Sequence, residues 1–174
     1  MNKQSRVIFR IDNRLVHGQI AVNWKQAFQF NTIIVPDNEL AADDFNQTLM
    51  RIATQAANLK SYFVSVKEAP AIINKLSKPK VGLLGKQSEE PIFIVCRTPQ
   101  AVREIIDEGV NADKVTIWNM FKKEHKHQIF GTVYMDEEDL NNVKAIKEHN
   151  VEVKIQETPY SKAYEVPNTL EELK

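Results

Sequence analysis

Six short runs rich in β-branched residues, separated by segments of helical period, constrain the fold of this chain more than any other feature. Val7 to Ile11, Thr32 to Val35, Tyr62 to Val66, Ile92 to Cys96, Val115 to Trp118 and Val151 to Ile155 read as strands. Between them, Ala41, Phe45, Leu49, Ile52 and Ala56 recur at steps of three and four, the pattern of an amphipathic helix. Ala69, Ile72, Ile73 and Leu76 repeat it, as do Val102, Ile105 and Ile106. Strands alternating with helices imply the α/β class: a single domain, residues 1–174, with a mainly parallel central sheet and helices on both faces. Such sheets bind ligands at the carboxyl ends of their strands. The loops carrying His17, Asp37, Thr98 and Asn119 are then expected to open on one edge.

Helix boundaries are written into the polar residues. Asp37-Asn38 after Pro36, and Thr98 before Pro99, have the form of N-caps. The last long helix opens on Asp136-Glu137-Glu138-Asp139 and closes near Lys144, Lys147 and His149, a charge order that complements the helix dipole. Ser77 to Glu90, with Pro79, Gly82 and Gly85, reads as a loop or a short strand at Val81 to Leu84. Phe121 to Phe130 reads as an exposed basic loop, and residues 159–174 as a surface tail ending in a short helix around Leu170 and Leu173.

Composition narrows the function classes. Lys plus Arg and Asp plus Glu stand at 23 each, so no net field favours nucleic acid. The lone Cys96 allows no intrachain disulfide and no multi-cysteine metal site, and its apolar run marks it as a buried structural thiol. No apolar core of a signal peptide follows Met1 to Arg6, and no run approaches the ~20 residues of a membrane helix. GxGxxG, Walker A and zincin motifs are all missing from the sequence. His125 and His127, two apart and interleaved with lysines, read as a solvated loop rather than a metal site, and no metal is expected.

The chemistry gathers in the first loop, Arg10-Ile11-Asp12-Asn13-Arg14-Leu15-Val16-His17-Gly18-Gln19, between the first strand and a helix containing Ala21, Val22 and Trp24. A neutral imidazole can accept a phosphoryl group, a guanidinium can clamp it, and the first amides of a helix can cradle it. On that reading His17 is the phosphoacceptor and donor, Arg14 stabilises the moving group, and Asp12 orients His17 or the loop. Gly18 and Gln19 supply the phosphate-binding backbone, while Asp37, Thr98 and Asn119 border the pocket. Arg97 falls at a strand end beside Thr98, whose first role there is to cap. A histidine at a helix start is also a common turn residue, and an Arg with an Asp a common salt bridge, so spacing alone leaves both readings open.

Asp12-Asn13-Arg14-Leu15-Val16-His17-Gly18-Gln19, followed by Ile20-Ala21-Val22-Asn23-Trp24, strongly resembles the enzyme IIB subunits of the mannose/fructose/sorbose class of the bacterial sugar phosphotransferase system (PTS). Ile33-Ile34-Val35 with Asp37-Asn38-Glu39, Thr48-Leu49-Met50, Glu108-Gly109-Val110 and Val151-Glu152-Val153 extend the resemblance over residues 6–158. It implies the sorbose-type IIB fold and a protein-N(pi)-phosphohistidine–sugar phosphotransferase. His17 would take a phosphoryl group from phospho-IIA and pass it to a sugar entering through the membrane subunits IIC and IID. A covalent phosphohistidine would be the only intermediate, without a cofactor. The resemblance further implies a cytoplasmic protein held at the inner face of the membrane through IIC/IID, and a homodimer. One departure stands out: Trp118-Asn119-Met120 occupies a loop where many members carry a Gly-Gly pair before Met. It motivates an alternative, a regulatory IIB-like module that is phosphorylated or binds partners without transporting sugar. A histidine phosphatase is a weaker third reading, because no second catalytic histidine lies near the first.

Overall fold

The computed structural model describes residues 6–18, 20–78, 80–81, 87–88 and 90–173. Its elements follow in the order β1 (Val7–Ile11), a single π-helical turn (Ile20–Trp24) continuing into α1 (Lys25–Phe28), β2 (Thr32–Pro36), α2 (Asn38–Ala41), α3 (Asp44–Ala56), β3 (Lys60–Val64) and α4 (Ala69–Leu76). Next come β4 (Lys80–Val81), β5 (Gln87–Ser88), β6 (Ile92–Cys96), α5 (Pro99–Asp107), β7 (Lys114–Ile117), β8 (His127–Phe130) and β9 (Val133–Met135). The chain ends in α6 (Glu137–Glu148), β10 (Glu152–Ile155), β11 (Tyr164–Glu165) and a 3-10 turn (Leu170–Leu173).

Seven strands form one sheet in the order β11-β10-β7-β1-β6-β2-β3, parallel except for β11. The single-domain α/β architecture expected from the alternation is therefore the one observed. β1 lies at the middle because it is apolar on both faces. Val7, Phe9 and Ile11 face a core shared with α4, α5 and α6, while Ile8 faces a second core with the π-turn, Trp24 and Leu40. A central parallel strand needs both faces covered, and these two layers supply the cover. β1 leads to β2 on one side, whereas β7 and β10 lie on the other. The carboxyl end of β1 is thus the topological switch point of the sheet.

Asp37 accepts from Leu40 N (2.8 Å) and Thr98 from Ala101 N (3.3 Å), as N-caps of α2 and α5. Asp136 and Asp139 form a reciprocal capping box on α6, so the acidic opening of that helix satisfies its free amides as well as its dipole. Cys96 is fully buried, and burial pushes its thiol pKa well above the usual range.

Four expectations are corrected. The segment from Ala41 to Ala56 is two helices, because Asp43 takes an N-cap, accepting from Asn46 N at 3.0 Å, and restarts the chain as α3. The third strand begins two residues earlier than its apolar run suggests, with Lys60 and Ser61 paired to Thr32 and Ile33. Phe121 to Phe130 is not wholly loop, since β8 and β9 form an antiparallel hairpin. The tail beyond residue 158 is partly woven in: β11 pairs with β10, and Val166 is buried in the core. Of the region from Ser77 to Glu90, β4 and β5 pair at Lys80–Val81 and Gln87–Ser88, and Pro79, Gly82, Leu84 and Gly85 lie outside the described residues.

The β8–β9 hairpin is locked onto Trp118. Gly131 has φ of +52°, and a Cβ there would lie 2.8 Å from Cη2 of the Trp118 indole. Gly131→Ala is expected to destabilise the fold by roughly 1–3 kcal/mol, since it combines an unfavourable backbone with an overpacked contact. Urea denaturation measures this directly. A Trp118→Leu background is expected to restore part of the loss, and an unchanged midpoint for the single variant would contradict the contact.

Candidate active site

The loop after β1 is shaped by its own backbone before any side chain acts. Asp12 N donates to Cys96 O (3.0 Å), Asn13 N to Asn119 O (3.0 Å), and Leu15 N closes a turn onto Asp12 O (3.0 Å). Leu15 sits at φ +55° and is fully buried, with Val16, in the core beneath the π-turn. A left-handed conformation costs a bulky L-residue about 1–2 kcal/mol, which the burial of Leu15 offsets. The helical turn then starts at His17, whose carbonyl accepts from Ala21 N (3.1 Å). π-turns cluster at functional sites, and this one begins three residues after the imidazole.

Asp12 is the hub. It is fully buried, and its Oδ2 lies 3.1 Å from His17 Nε2 while accepting from Asn119 Nδ2 at 2.9 Å. Its Oδ1 accepts from the backbone N of Arg14 (3.0 Å), with Arg14 Nε at 3.4 Å. Burial alone would raise the Asp12 pKa. The bonds from His17, Asn119 and the Arg14 amide outweigh it and hold the carboxyl below its usual value. A carboxylate bonded to Nε2 fixes that nitrogen as the one carrying hydrogen in a neutral ring, so Nδ1 keeps the free lone pair. His17 is partly exposed and Arg14 more so, so both reach the open edge of the site. A Cβ on exposed Gly18 would meet nothing within 4 Å, leaving space beside the imidazole. Gln19, expected alongside Gly18, lies outside the described residues.

Asn119, expected at the pocket edge, is a direct partner of Asp12. It is buried at φ +49°, its carbonyl holds Asn13, and its Oδ1 accepts from Thr132 Oγ1 (3.1 Å). Asparagine tolerates the left-handed region, so Asn119 makes this turn while adding a side-chain bond to the hub. Asp37 and Thr98 do border a cleft of about 340 Å³, together with Arg97 and Gln100. Arg97 grips Asp37 through both Nε (2.7 Å) and Nη2 (3.1 Å) and points Nη1 at Asn13 O (3.4 Å). That cleft therefore adjoins the loop without touching His17 through any hydrogen bond among the described residues.

Two residues of this loop region, given no role by the sequence reading, are tied into the site. Arg10 is fully buried, with Nη1 on Gln156 O (2.7 Å), Nη2 on Glu157 O (3.0 Å) and 3.8 Å from Asp12 Oδ2, and its guanidinium carbon lies 4.6 Å from the Trp24 ring centre. Burial pulls its pKa down to about 10, against the upward pull of Asp12, so it stays charged at neutral pH. A charged residue inside the apolar run Val7-Ile8-Phe9-Arg10-Ile11 was the available signal. Asn13 is the second, donating to Arg97 O (2.8 Å) and accepting from Phe121 N (2.6 Å). The other histidines sit elsewhere: His149 pairs with Asp107 (3.0 Å), His125 with Asp136 (3.3 Å), and His127 lies on β8. Among the described residues no group of three or more His, Cys, Asp or Glu is placed to hold a metal ion.

The sequence pattern of the family described as PTS system sorbose subfamily IIB component matches residues 6–174. The chain belongs to that family. It is similar to the N-acetylgalactosamine-specific phosphotransferase enzyme IIB component 1 of Escherichia coli K12, 33% identical over 97% of this chain and 100% of the relative. The crystal structure of an N-acetylgalactosamine-specific IIB component 1 from Escherichia coli superposes with a TM-score of 0.83, at 34% identity, over 93% of this chain and 100% of that one. The sorbose-specific EIIB component of Lacticaseibacillus casei is 30% identical, over 84% of this chain and 82% of the relative. This IIB component thus shares fold and family with transferase subunits of sugar phosphotransferase systems. No helix among its described residues is long and apolar enough to cross a membrane.

The Asp37 carboxyl gives a test of this edge by pH. Burial raises its pKa, but the bidentate Arg97 bond outweighs that and sets it below the ordinary value. A depressed folded-state pKa contributes stability above the unfolded value, about pH 4, and the contribution fades as pH falls through the lower folded value. Arg97→Met is expected to lower the urea midpoint at neutral pH and to flatten its decline between about pH 5 and pH 2. Parallel acid profiles for the two proteins would show that Arg97 does not set the Asp37 titration.

Proposed function

We infer that this IIB component carries a phosphoryl group on His17, received from phospho-IIA and delivered to a sugar presented by IIC and IID. The observation that carries the reading is the Asp12–His17 Nε2 contact at 3.1 Å, which leaves Nδ1 as the nucleophile on the open side of the loop. In the first step Nδ1 attacks phosphorus in line, its bond to phosphorus forming as the donor's phosphorus–nitrogen bond breaks. The ring becomes cationic, with hydrogen on Nε2 and phosphorus on Nδ1, and the Asp12 carboxylate stabilises that cation. Asp12 engages Arg14 through Nε, which leaves the terminal guanidinium nitrogens for the equatorial phosphoryl oxygens. In the second step a sugar hydroxyl oxygen attacks phosphorus, the imidazole leaves as the neutral Nε2–H tautomer, and the hydroxyl proton is released.

No metal or cofactor enters this scheme. IIA as donor finds support in the mannose-specific EIIAB component of Escherichia coli K12, whose name joins the two units; this chain is 28% identical to it and spans 42% of its length. Docking to IIC/IID at the cytoplasmic face of the membrane follows from the family and is part of the proposal.

The test is transfer from phosphoenolpyruvate through enzyme I, the phosphocarrier protein and a cognate IIA. Wild type is expected to take up an acid-labile, base-stable label located on Nδ1 by NMR, and His17→Ala none. Asp12→Asn, still folded by circular dichroism, is expected to label roughly two to four orders of magnitude more slowly, because the carboxylate no longer holds the tautomer or the cation. Label on His17→Ala, or attachment at Nε2, would overturn the assignment.

A further inference from the structure

Two groups compete for Oδ2 of Asp12: the His17 imidazole and the Arg10 guanidinium. Arg10 is fixed from below by the carbonyls of Gln156 and Glu157, and its Nη2 stands 3.8 Å from Oδ2, longer than a hydrogen bond. Its Nε is buried and has no hydrogen-bond partner among the described residues. A fixed guanidinium with a spare buried donor attracts a carboxylate more strongly than a neutral imidazole does. Yet the carboxylate is bonded to the imidazole, at 3.1 Å, and stands off the arginine. The Arg14 amide holds the other oxygen, Oδ1, at 3.0 Å. On Oδ2 itself the shortest contact is Asn119 Nδ2, at 2.9 Å.

The Asn119 side chain is committed at both ends. A carboxylate only accepts hydrogen bonds, so the amide nitrogen must face Asp12 and the amide oxygen must face away. That oxygen accepts from Thr132 Oγ1 (3.1 Å), in the turn between β8 and β9. The amide therefore cannot flip without losing both bonds. The hairpin carrying Thr132 is itself fastened over the loop, because Tyr134 N donates to Met120 O (3.0 Å) and Gly131 lies against the Trp118 indole. The backbone does not need the Asn119 side chain. Trp118 N donates to Ile11 O (2.9 Å) and Asn119 O accepts from Asn13 N (3.0 Å), so main-chain bonds seat this loop beside β1. The side chain is left to serve the carboxylate. A row of hydrogen bonds, Thr132–Asn119–Asp12–His17, thus runs from an exposed turn to the imidazole, each polarising the next.

We propose that Asn119 and Thr132 are positioning residues for phosphoryl transfer, which hold the Asp12 carboxylate on His17 Nε2 and off Arg10. The inference rests on His17 as the phosphoryl carrier, and adds two residues that act on it only through Asp12. Without the amide, Oδ2 turns toward Arg10, Nε2 loses its acceptor, and the ring hydrogen divides between the two nitrogens. Nδ1 is then the nucleophile in only part of the molecules, and the cation formed on phosphorylation is poorly stabilised.

Two variants separate this role from a structural one. Asn119→Gly keeps the left-handed turn and removes only the side chain. Thr132→Val removes only the hydroxyl, at an exposed position. With label passed from phosphoenolpyruvate through enzyme I, the phosphocarrier protein and a cognate IIA, Asn119→Gly is expected to label about 10- to 100-fold more slowly than wild type, the loss that goes with a hydrogen bond to a charged group. Thr132→Val is expected to slow labelling roughly threefold, and Thr132→Ser to restore the wild-type rate. In an Asp12→Asn background, Asn119→Gly is expected to slow labelling no further, because no carboxylate is left to hold. Nitrogen NMR of the unphosphorylated protein reads the same effect without any transfer, with His17 as the Nε2–H tautomer in wild type and a mixture in Asn119→Gly. An Asn119→Gly protein that labels at the wild-type rate, that is slowed equally with and without the Asp12 carboxylate, or that keeps a single Nε2–H tautomer would overturn the proposal. Thr132→Val at the wild-type rate would remove Thr132 from it. A wild type that takes no label overturns the carrier reading alone, and the tautomer measurement then decides whether Asn119 holds Asp12 on His17.

Discussion

A buried carboxylate that accepts hydrogen bonds from three sides holds this site together, and the surrounding architecture follows from the need to keep it charged. Asp12 cannot be buried alone, because an isolated carboxylate in the interior is costly by several kcal/mol. The structure answers with His17 and Asn119 on one oxygen and the Arg14 amide on the other. Arg10, at 3.8 Å, adds a compensating charge from below. These partners come from three places: His17 and Arg14 from the loop itself, Asn119 from the end of β7, and Arg10 from the strand beneath. Asp12 therefore orients the imidazole and also ties the loop to the sheet. Its loss would leave Arg10 as an unbalanced buried cation, so the same group serves chemistry and stability.

Arg10 shows how far that dependence extends. Its guanidinium stacks on Trp24 and donates to the carbonyls of Gln156 and Glu157, just past β10. The π-turn that follows His17 is thus anchored through Trp24 to the same cation that supports Asp12. This rigidity suits phosphoryl transfer, where catalysis rests on positioning and preset charge more than on covalent machinery. The strain at Leu15 belongs to the same arrangement. A positive φ there turns the backbone sharply enough to bring His17 back over Asp12, five residues earlier, and burial of the leucine holds the turn.

What could be read from the sequence divides along physical lines. The interior strands β1, β2, β6 and β7 announce themselves because both of their faces are buried, which forces a nearly continuous apolar run, whereas β10 shows as buried Val153 and Ile155 alternating with Glu152 and Lys154. The edge strand β3 was read two residues late because Lys60 and Ser61, half in solvent, need no such run. The β8–β9 hairpin was hidden by its basic residues, although Gly131-Thr132 between Phe130 and Val133 is a two-residue turn signal. In the site, the Asp12 to His17 spacing marked the loop, and Thr98 and Asp37 appeared as caps. Asn119 as an inner partner was not readable, because its bond to Asp12 spans 107 positions and depends on β7 lying beside β1.

The helix α3 marks the limit of periodicity as evidence. A repeat of apolar residues every three or four positions establishes that one side of a helix is apolar, but not that this side faces the chain's own core. What decides orientation is the anchoring of the other side. Here Gln47 reaches back to the last carbonyls of α2 and Thr54 to Ser61 of β3, contacts that a leucine or phenylalanine could not make. Once those polar groups are committed, the stripe from Phe45 to Ile52 must face outward, and its exposure is a consequence of the fold rather than a defect in it.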